Sequence, residues 1–174
     1  MTNFFRLSAL AAAAAAAALT AAPAAAAPVG VTGAKPKANA RIIRPLVLAG
    51  VRDLNFGTIV LGSVAAGGES VALTSAGVLS CGTGGLTCSG TTQTARYNVQ
   101  GTQGQVVVVS ATNSTLSGTN GGTLTFVPAL PANFSLTNSG NPGNNFDVGG
   151  SITITPSTVD GVYSGDMEVF VDYQ

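Results

Sequence analysis

Between residues 162 and 173 the chain alternates. Tyr163, Gly165, Met167, Val169, Val171 and Tyr173 fall on one face of an extended strand, and Ser164, Asp166, Glu168, Phe170 and Asp172 on the other. A strand with one apolar face belongs to an antiparallel sheet that meets a core on one side and water or a partner on the other. Asp160 and Gly161 before it read as the turn that launches it. Phe170 breaks the pattern, an aromatic on the acidic face, which either packs under a loop or marks a contact surface.

Eight further runs of β-branched and aromatic residues precede this one, at 41–49, 54–61, 70–74, 94–100, 105–110, 123–127, 134–137 and 151–155. Gly, Asn and Ser clusters separate them, at 66–68, 101–104, 117–122 and 138–143, and supply the positive φ angles of tight turns. The runs are short and no strong helical period follows residue 26, so the expected class is all-β, an antiparallel sandwich. Pro45 cannot donate to a ladder, which puts the first strand at an edge or at a bend between sheets. Val106 to Val109, apolar on both sides, reads as a central strand buried on both faces.

The first 26 residues follow a different plan. One charge, Arg6, is followed by a leucine and alanine run ending in Ala24, Ala25 and Ala26, the plan of a secretory signal peptide cleaved after Ala26. A retained anchor needs about twenty strongly apolar residues, whereas this stretch is mostly alanine and is interrupted by Pro23. No later segment reaches membrane-spanning length. The expected organisation is a signal peptide at 1–26, a flexible extension at 27–38 and one β-sandwich at 39–174, exported through the periplasm to the cell surface.

Cys81 and Cys88 agree with an oxidising destination, since an even cysteine count in an exported chain predicts a disulfide. Closing so short a loop stabilises a fold by about 2.5 kcal/mol in the chain-entropy model. With no histidine and two thiols, zinc would lack ligands. Only 8% of the residues are charged, and they are sorted along the chain. Five of the six basic residues after Arg6 (Lys35, Lys37, Arg41, Arg44 and Arg52) precede residue 53, while Asp160, Asp166, Glu168 and Asp172 crowd the last strand. The two ends attract one another. In trans this favours head-to-tail assembly; in cis it favours pairing of the first and last strands of one sandwich.

Composition also excludes function classes. Without histidine there is no His-based triad, and the seven acids are scattered, so no enzyme and no cofactor are expected. Asp166, Glu168 and Asp172 share a strand face without the clustered oxygen ligands calcium takes, and read as a solvated edge that discourages wrong pairing. Six basic residues against seven acidic ones after the leader disfavour nucleic acid.

Two sets of residues carry a resemblance. An apolar opening strand leads to Asp53-Leu54-Asn55-Phe56-Gly57-Thr58-Ile59, and Gly161-Val-Tyr-Ser-Gly165 begins the alternating strand to Tyr173. In these the chain resembles, over about residues 38–174, exported bacterial proteins of the family called domain of unknown function 4402, and more distantly spore coat protein U and chaperone-usher pilus subunits. Gly161, fourteenth from the end, and the penultimate Tyr173 are similar to the pilus-subunit assembly signature, which implies an assembly role for Gly161, Tyr163, Met167, Val169, Val171 and Tyr173. The resemblance further implies an immunoglobulin-like Greek-key sandwich, one strand short and completed in trans by β-augmentation. It implies a structural subunit of a surface filament or coat, with copies of itself, a periplasmic chaperone and an outer-membrane usher as partners. Val29 and Val31 of the extension are the expected donor residues, and the segment 40–49 is a more hydrophobic donor unless the domain uses it as its own first strand. The alternative reading is a self-completed monomeric surface or periplasmic domain for binding or adhesion.

Overall fold

A computed structural model describes residues 26–174, so the leader read at 1–26 lies, apart from Ala26, outside the described residues. The chain divides at residue 40. Residues 26–40 of the first unit carry no strand and are exposed throughout. The second unit, Arg41–Gln174, is built of antiparallel strands and has no helix among the described residues.

Thirteen strands form it. They are β1 (Val47–Arg52), β2 (Thr58–Leu61), β3 (Glu69–Leu73), β4 (Leu79–Cys81), β5 (Leu86–Ser89), β6 (Ala95–Gln100), β7 (Val106–Ala111), β8 (Ser114–Gly118), β9 (Thr123–Ala129), β10 (Phe134–Ser135), β11 (Asn144–Ile154), β12 (Tyr163–Ser164) and β13 (Val169–Tyr173). The larger sheet runs β1-β6-β11-β9-β8-β12, with β3 on β11 and β4 on β3. A three-stranded sheet, β10-β7-β13, and the hairpin-like pair β2-β5 complete the sandwich. The expected all-β antiparallel sandwich is thus the architecture found.

The longest strand, β11, serves both ends of the large sheet. Asn144 to Val148 pair with β6, and Gly150 to Ile154 pair with β3 while Gly149 to Ile152 also pair with β9. The crossover sits at two glycines. A Cβ on Gly149 would lie 1.9 Å from the Leu73 carbonyl oxygen, and one on Gly150 would lie 2.2 Å from the Phe126 ring. Only residues without a side chain let β3 and Phe126 approach so closely.

Two apolar clusters fill the interior. One gathers Phe56, Val71, Leu73, Phe126, Ile152 and Ile154; the other gathers Ala95, Val99, Val107, Leu136, Phe146 and Val148. Leu54 and Met167 pack against both. The disulfide Cys81–Cys88 expected from the cysteine count is formed. Inside its loop the buried Glu69 carboxylate accepts hydrogen bonds from the Thr83 N–H (3.1 Å) and the Gly85 N–H (2.9 Å), so side chain and bridge hold the same six-residue loop from two sides.

Several strand expectations are corrected. The first strand begins at Val47 rather than 41, because residues 41–46, with Pro45 among them, form an extended strap that makes no ladder. Its edge position is as expected, since β1 pairs with β6 alone among the described residues. Val106 to Val109 lie in a central strand, but one face only is buried: Val107 and Val109 point inward, whereas Val106 and Val108 are half-buried. β11 starts at Asn144, seven residues earlier than the apolar run, because the inward Asn144 is polar. Its Oδ1 accepts from the Thr137 N–H (2.7 Å) and hydroxyl (2.8 Å), and its amide donates to the Asn138 carbonyl (3.2 Å), which satisfies it in the interior. β4, β5 and β8 have too few large apolar residues to stand out in the sequence.

Glu69→Ala is expected to lower unfolding free energy by about 2–4 kcal/mol, because two sheltered N–H groups lose their acceptor. Urea denaturation measures it. Glu69→Gln, which keeps one acceptor oxygen, should cost less than half as much; equal losses for the two would show that the carboxylate is not what holds the loop.

Candidate functional site

The final segment crosses from one sheet to the other. β12 pairs with β8, placing Tyr163 opposite Gly118, and β13 pairs with β7, placing Tyr173 opposite Val107. Between them residues 165–168 face residues 112–116, four against five, so the ribbon carries one extra residue on the β7–β8 side. That irregularity is where the segment turns between sheets. Gly165 fits there because a Cβ would come within 2.4 Å of the Thr115 carbonyl oxygen.

The expected face alternation holds along this segment. Tyr163 and Met167 pack against the first cluster, and Met167, Val169, Val171 and Tyr173 against the second. Asp166, Glu168, Phe170 and Asp172 are exposed. Phe170 stands on the outer sheet face, 49% exposed, across from Ser110 and diagonal to Val108.

Each end of the segment is fixed by a tyrosine hydroxyl. At the start, the Tyr163 hydroxyl donates to the Val159 carbonyl (2.7 Å). Gly161, at φ +152°, sits beside the β8–β9 turn, where the Thr119 N–H donates to the Val162 carbonyl and the Asn120 amide to the Asp160 carbonyl. At the other end the Tyr173 hydroxyl donates to the Arg44 carbonyl (2.8 Å) and accepts from the Thr102 N–H (2.8 Å). Arg44 in turn donates its N–H to the Thr102 hydroxyl, and the Arg41 guanidinium donates to the Gln105 side chain. Tyr173 therefore ties the strap at 41–46 to the end of the last strand. Its partners lie 129 and 71 residues away, and no local pattern announces them.

Below that tie the first and last strands part. β1 pairs with β6 and β13 with β7, and no ladder joins β1 to β13 among the described residues. The cis pairing considered from the charge distribution is not found. A cleft of about 1040 Å³ lies between residues 50–59 and 158–167, over Leu116, Leu124, Phe126, Ile152 and Ile154; β13 does not line it. Phe56 on one lip meets Phe126 edge-to-face, with ring centroids 6.2 Å apart. The floor is nearly closed to water, Phe126 being 1% and Ile154 4% exposed, because Leu54, Leu116, Tyr163 and Met167 already pack over it. In the sequence the lip at 50–59 shows as the motif at 53–59 and the apolar run at 54–61; its place opposite 158–167 depends on packing between sheets.

Charge is unevenly placed around the cleft. Asp53, Asp160 and Asp166 line it, all exposed, and none is in an ion pair within Arg41–Gln174. Arg52, the basic residue of the lip, is already committed: it donates to the Thr94 carbonyl (3.0 Å) and hydroxyl (2.9 Å) and lies 3.6 Å from Asp147. Asp147 receives a bidentate pair from Arg96, at 2.7 and 2.8 Å, and that hydrogen bonding, with the charges of Arg96 and Arg52, holds its carboxyl below the ordinary range. Burial pushes the Tyr97 hydroxyl up, with Asp53 adding to it. No cluster of three or more His, Cys, Asp or Glu is placed to hold a metal among the described residues.

Val29 and Val31 both lie in the exposed stretch 26–40, at 94% and 60% exposure. The alternative donor, 40–49, is partly consumed, since its last three residues belong to β1 and Leu46 packs on the second cluster.

The sequence of this sandwich matches a described family. The profile of the domain of unknown function DUF4402 covers residues 46–173, and the chain belongs to that family. No curated protein and no solved structure matches the chain.

Two outcomes are expected. Tyr173→Phe removes both hydroxyl bonds and should cost about 1–3 kcal/mol in urea denaturation, with faster hydrogen exchange at Thr102; a neutral substitution would show that Leu46 and the Arg41 and Arg44 contacts hold the strap without the hydroxyl. The depressed Asp147 carboxyl contributes stability that is fully present above its unfolded pKa and is lost as pH falls through its lower folded value. The unfolding midpoint should thus fall as pH drops below about 4, and Asp147→Asn should flatten that part of the profile.

Proposed function

We propose that this chain is a non-catalytic, exported structural subunit of a bacterial surface filament or coat, fimbria-like, assembling by β-strand pairing at the cleft and at the free edge of β13. The carrying observation is the edge of β13: this strand follows the 158–167 lip and pairs with β7 alone, and the lips at 50–59 and 158–167 share no ladder. An added strand there would gain main-chain hydrogen bonds. Secretion, a periplasmic chaperone and an outer-membrane usher belong to the same proposal, supported by the leader-like residues 1–26 and the family resemblance to pilus subunits.

The test is size. The chain beginning at Ala27 is purified from a periplasm, run heated and unheated on a denaturing gel, and compared with a form lacking 27–37. A heat-sensitive ladder supports assembly by strand pairing, and its loss with the deletion places the donor in that segment. A monomer under all conditions overturns the proposal and favours a self-completed surface domain for binding or adhesion.

A further inference from the structure

We infer that the Cys81–Cys88 bridge is a redox-sensitive clasp on one flap of the sandwich, residues 54–62 paired with 85–93: oxidation locks the flap over the first apolar cluster, and reduction frees it while the other strands stay folded. This device is independent of strand pairing between copies.

The flap is set apart by its ladders. β2 and β5 pair with each other, and no ladder joins either to another strand among the described residues. Two contacts lengthen the pair: Asn55 and Gln93 exchange backbone hydrogen bonds of 2.7 and 2.8 Å, and the Gly62 N–H donates to the Gly85 carbonyl (2.8 Å). Every other strand belongs to the larger sheet or to the three-stranded one. A two-stranded pair is marginal by itself, so this one depends on its inner side chains and on whatever crosses to its neighbours.

The inner side covers the first cluster. Phe56 and Leu86 are buried there, Leu54, Ile59 and Cys88 pack against it, and Phe56 meets Phe126 edge-to-face. On the outer side Val60 and Leu61 are exposed. The flap is therefore a one-sided lid. At one end Gly57 and Gly90 lie beside each other with φ of +77° and +83°, a backbone that bends there without side-chain strain.

Two ties cross from the flap to the larger sheet, and they meet in one loop. The bridge joins Cys88, opposite Ile59 in β5, to Cys81, opposite Val71 in β4. The Glu69 carboxylate, at the start of β3, accepts from the Thr83 and Gly85 N–H groups of the loop that the bridge closes. Without the bridge, two hydrogen bonds and apolar packing on one face remain. Both cysteines are half-buried rather than enclosed, so a small dithiol reaches them. It transfers two electrons and two protons; the S–S bond breaks to two thiols, and the dithiol closes to its own cyclic disulfide. The chain has two cysteines, so the thiols reclose within it only on each other. Residues 54–59 of the flap line the cleft opposite 158–167, so the redox state decides whether that lip is fixed.

The experiment is hydrogen–deuterium exchange, read by mass spectrometry, on the chain beginning at Ala27, oxidised and after reduction by dithiothreitol. On reduction the amides of 58–61 and 86–89 are expected to speed up about tenfold more than those of β11 and β13. Cys81→Ala with Cys88→Ala should reproduce the reduced pattern without a reductant, and reoxidation of the native chain should reverse it. Glu69→Gln should raise flap exchange more in the reduced chain than in the oxidised one, since the two ties hold the same corner. Exchange that rises by one factor in all strands would mean a bridge that stabilises the whole domain, and no change anywhere would mean a flap held by packing; either overturns the inference. If the alanine pair fails to fold by circular dichroism, reduction of the folded native chain decides, and complete unfolding there overturns it too.

Discussion

The interaction on which the rest depends is the contact of one ribbon with two cores. The final segment and the continuous β7–β8 stretch run antiparallel across both sheets, and Met167, at the irregularity between β12 and β13, touches the clusters on either side. Neither cluster is large, so a segment that buries side chains in both couples them. The glycines at 149 and 150 do the equivalent for β11, allowing one strand to serve the β6 end and the β3–β9 end. The sandwich is therefore held by two long elements that change partners midway, with short strands filling the spaces between.

An all-β domain must also manage its edges. β1 and β13 each have one partner among the described residues, and their exposed groups are a hazard for promiscuous pairing. The two edges are treated differently. β13 carries Asp172 on its outer face, and Asp166 and Glu168 precede it, which repels another copy of the same edge; β1 presents Val47 and Val51 to solvent and ends at the committed Arg52. Like edges are thus discouraged.

How much of this was legible follows from what signals are local. The alternation from Tyr163 to Tyr173 is a period-two pattern set by burial of one face, and it survives into the structure although the strand is broken at 165–168. The disulfide was legible because two cysteines had one another as the only partner. The first half of β11 was not, since its inward positions include a polar Asn144 whose partners come from the 137–138 turn. The cleft was half legible. Its acidic lip belongs to the marked final segment, but the opposing lip is defined by Phe56 meeting Phe126, seventy residues away, and no spacing along the chain encodes that.

The tie at Tyr173 limits where the junction can open. By holding the Arg44 carbonyl and the Thr102 N–H with one hydroxyl, it closes the gap between the strap and the last strand at one end, over the second cluster. Pro45 then keeps residues 41–46 from pairing onward as a regular strand, so they serve as a strap and not as the missing ladder. At the other end the Asn120 amide and the Thr119 N–H hold the Asp160 and Val162 carbonyls of the 158–164 turn to the β8–β9 hairpin, while the Tyr163 hydroxyl closes that turn on the Val159 carbonyl. The 158–167 stretch therefore lies over the first cluster, its start held by the hairpin and its end passing into β13, and the floor beneath it stays covered by the domain's own side chains, with Phe126 at 1% and Ile154 at 4% exposure.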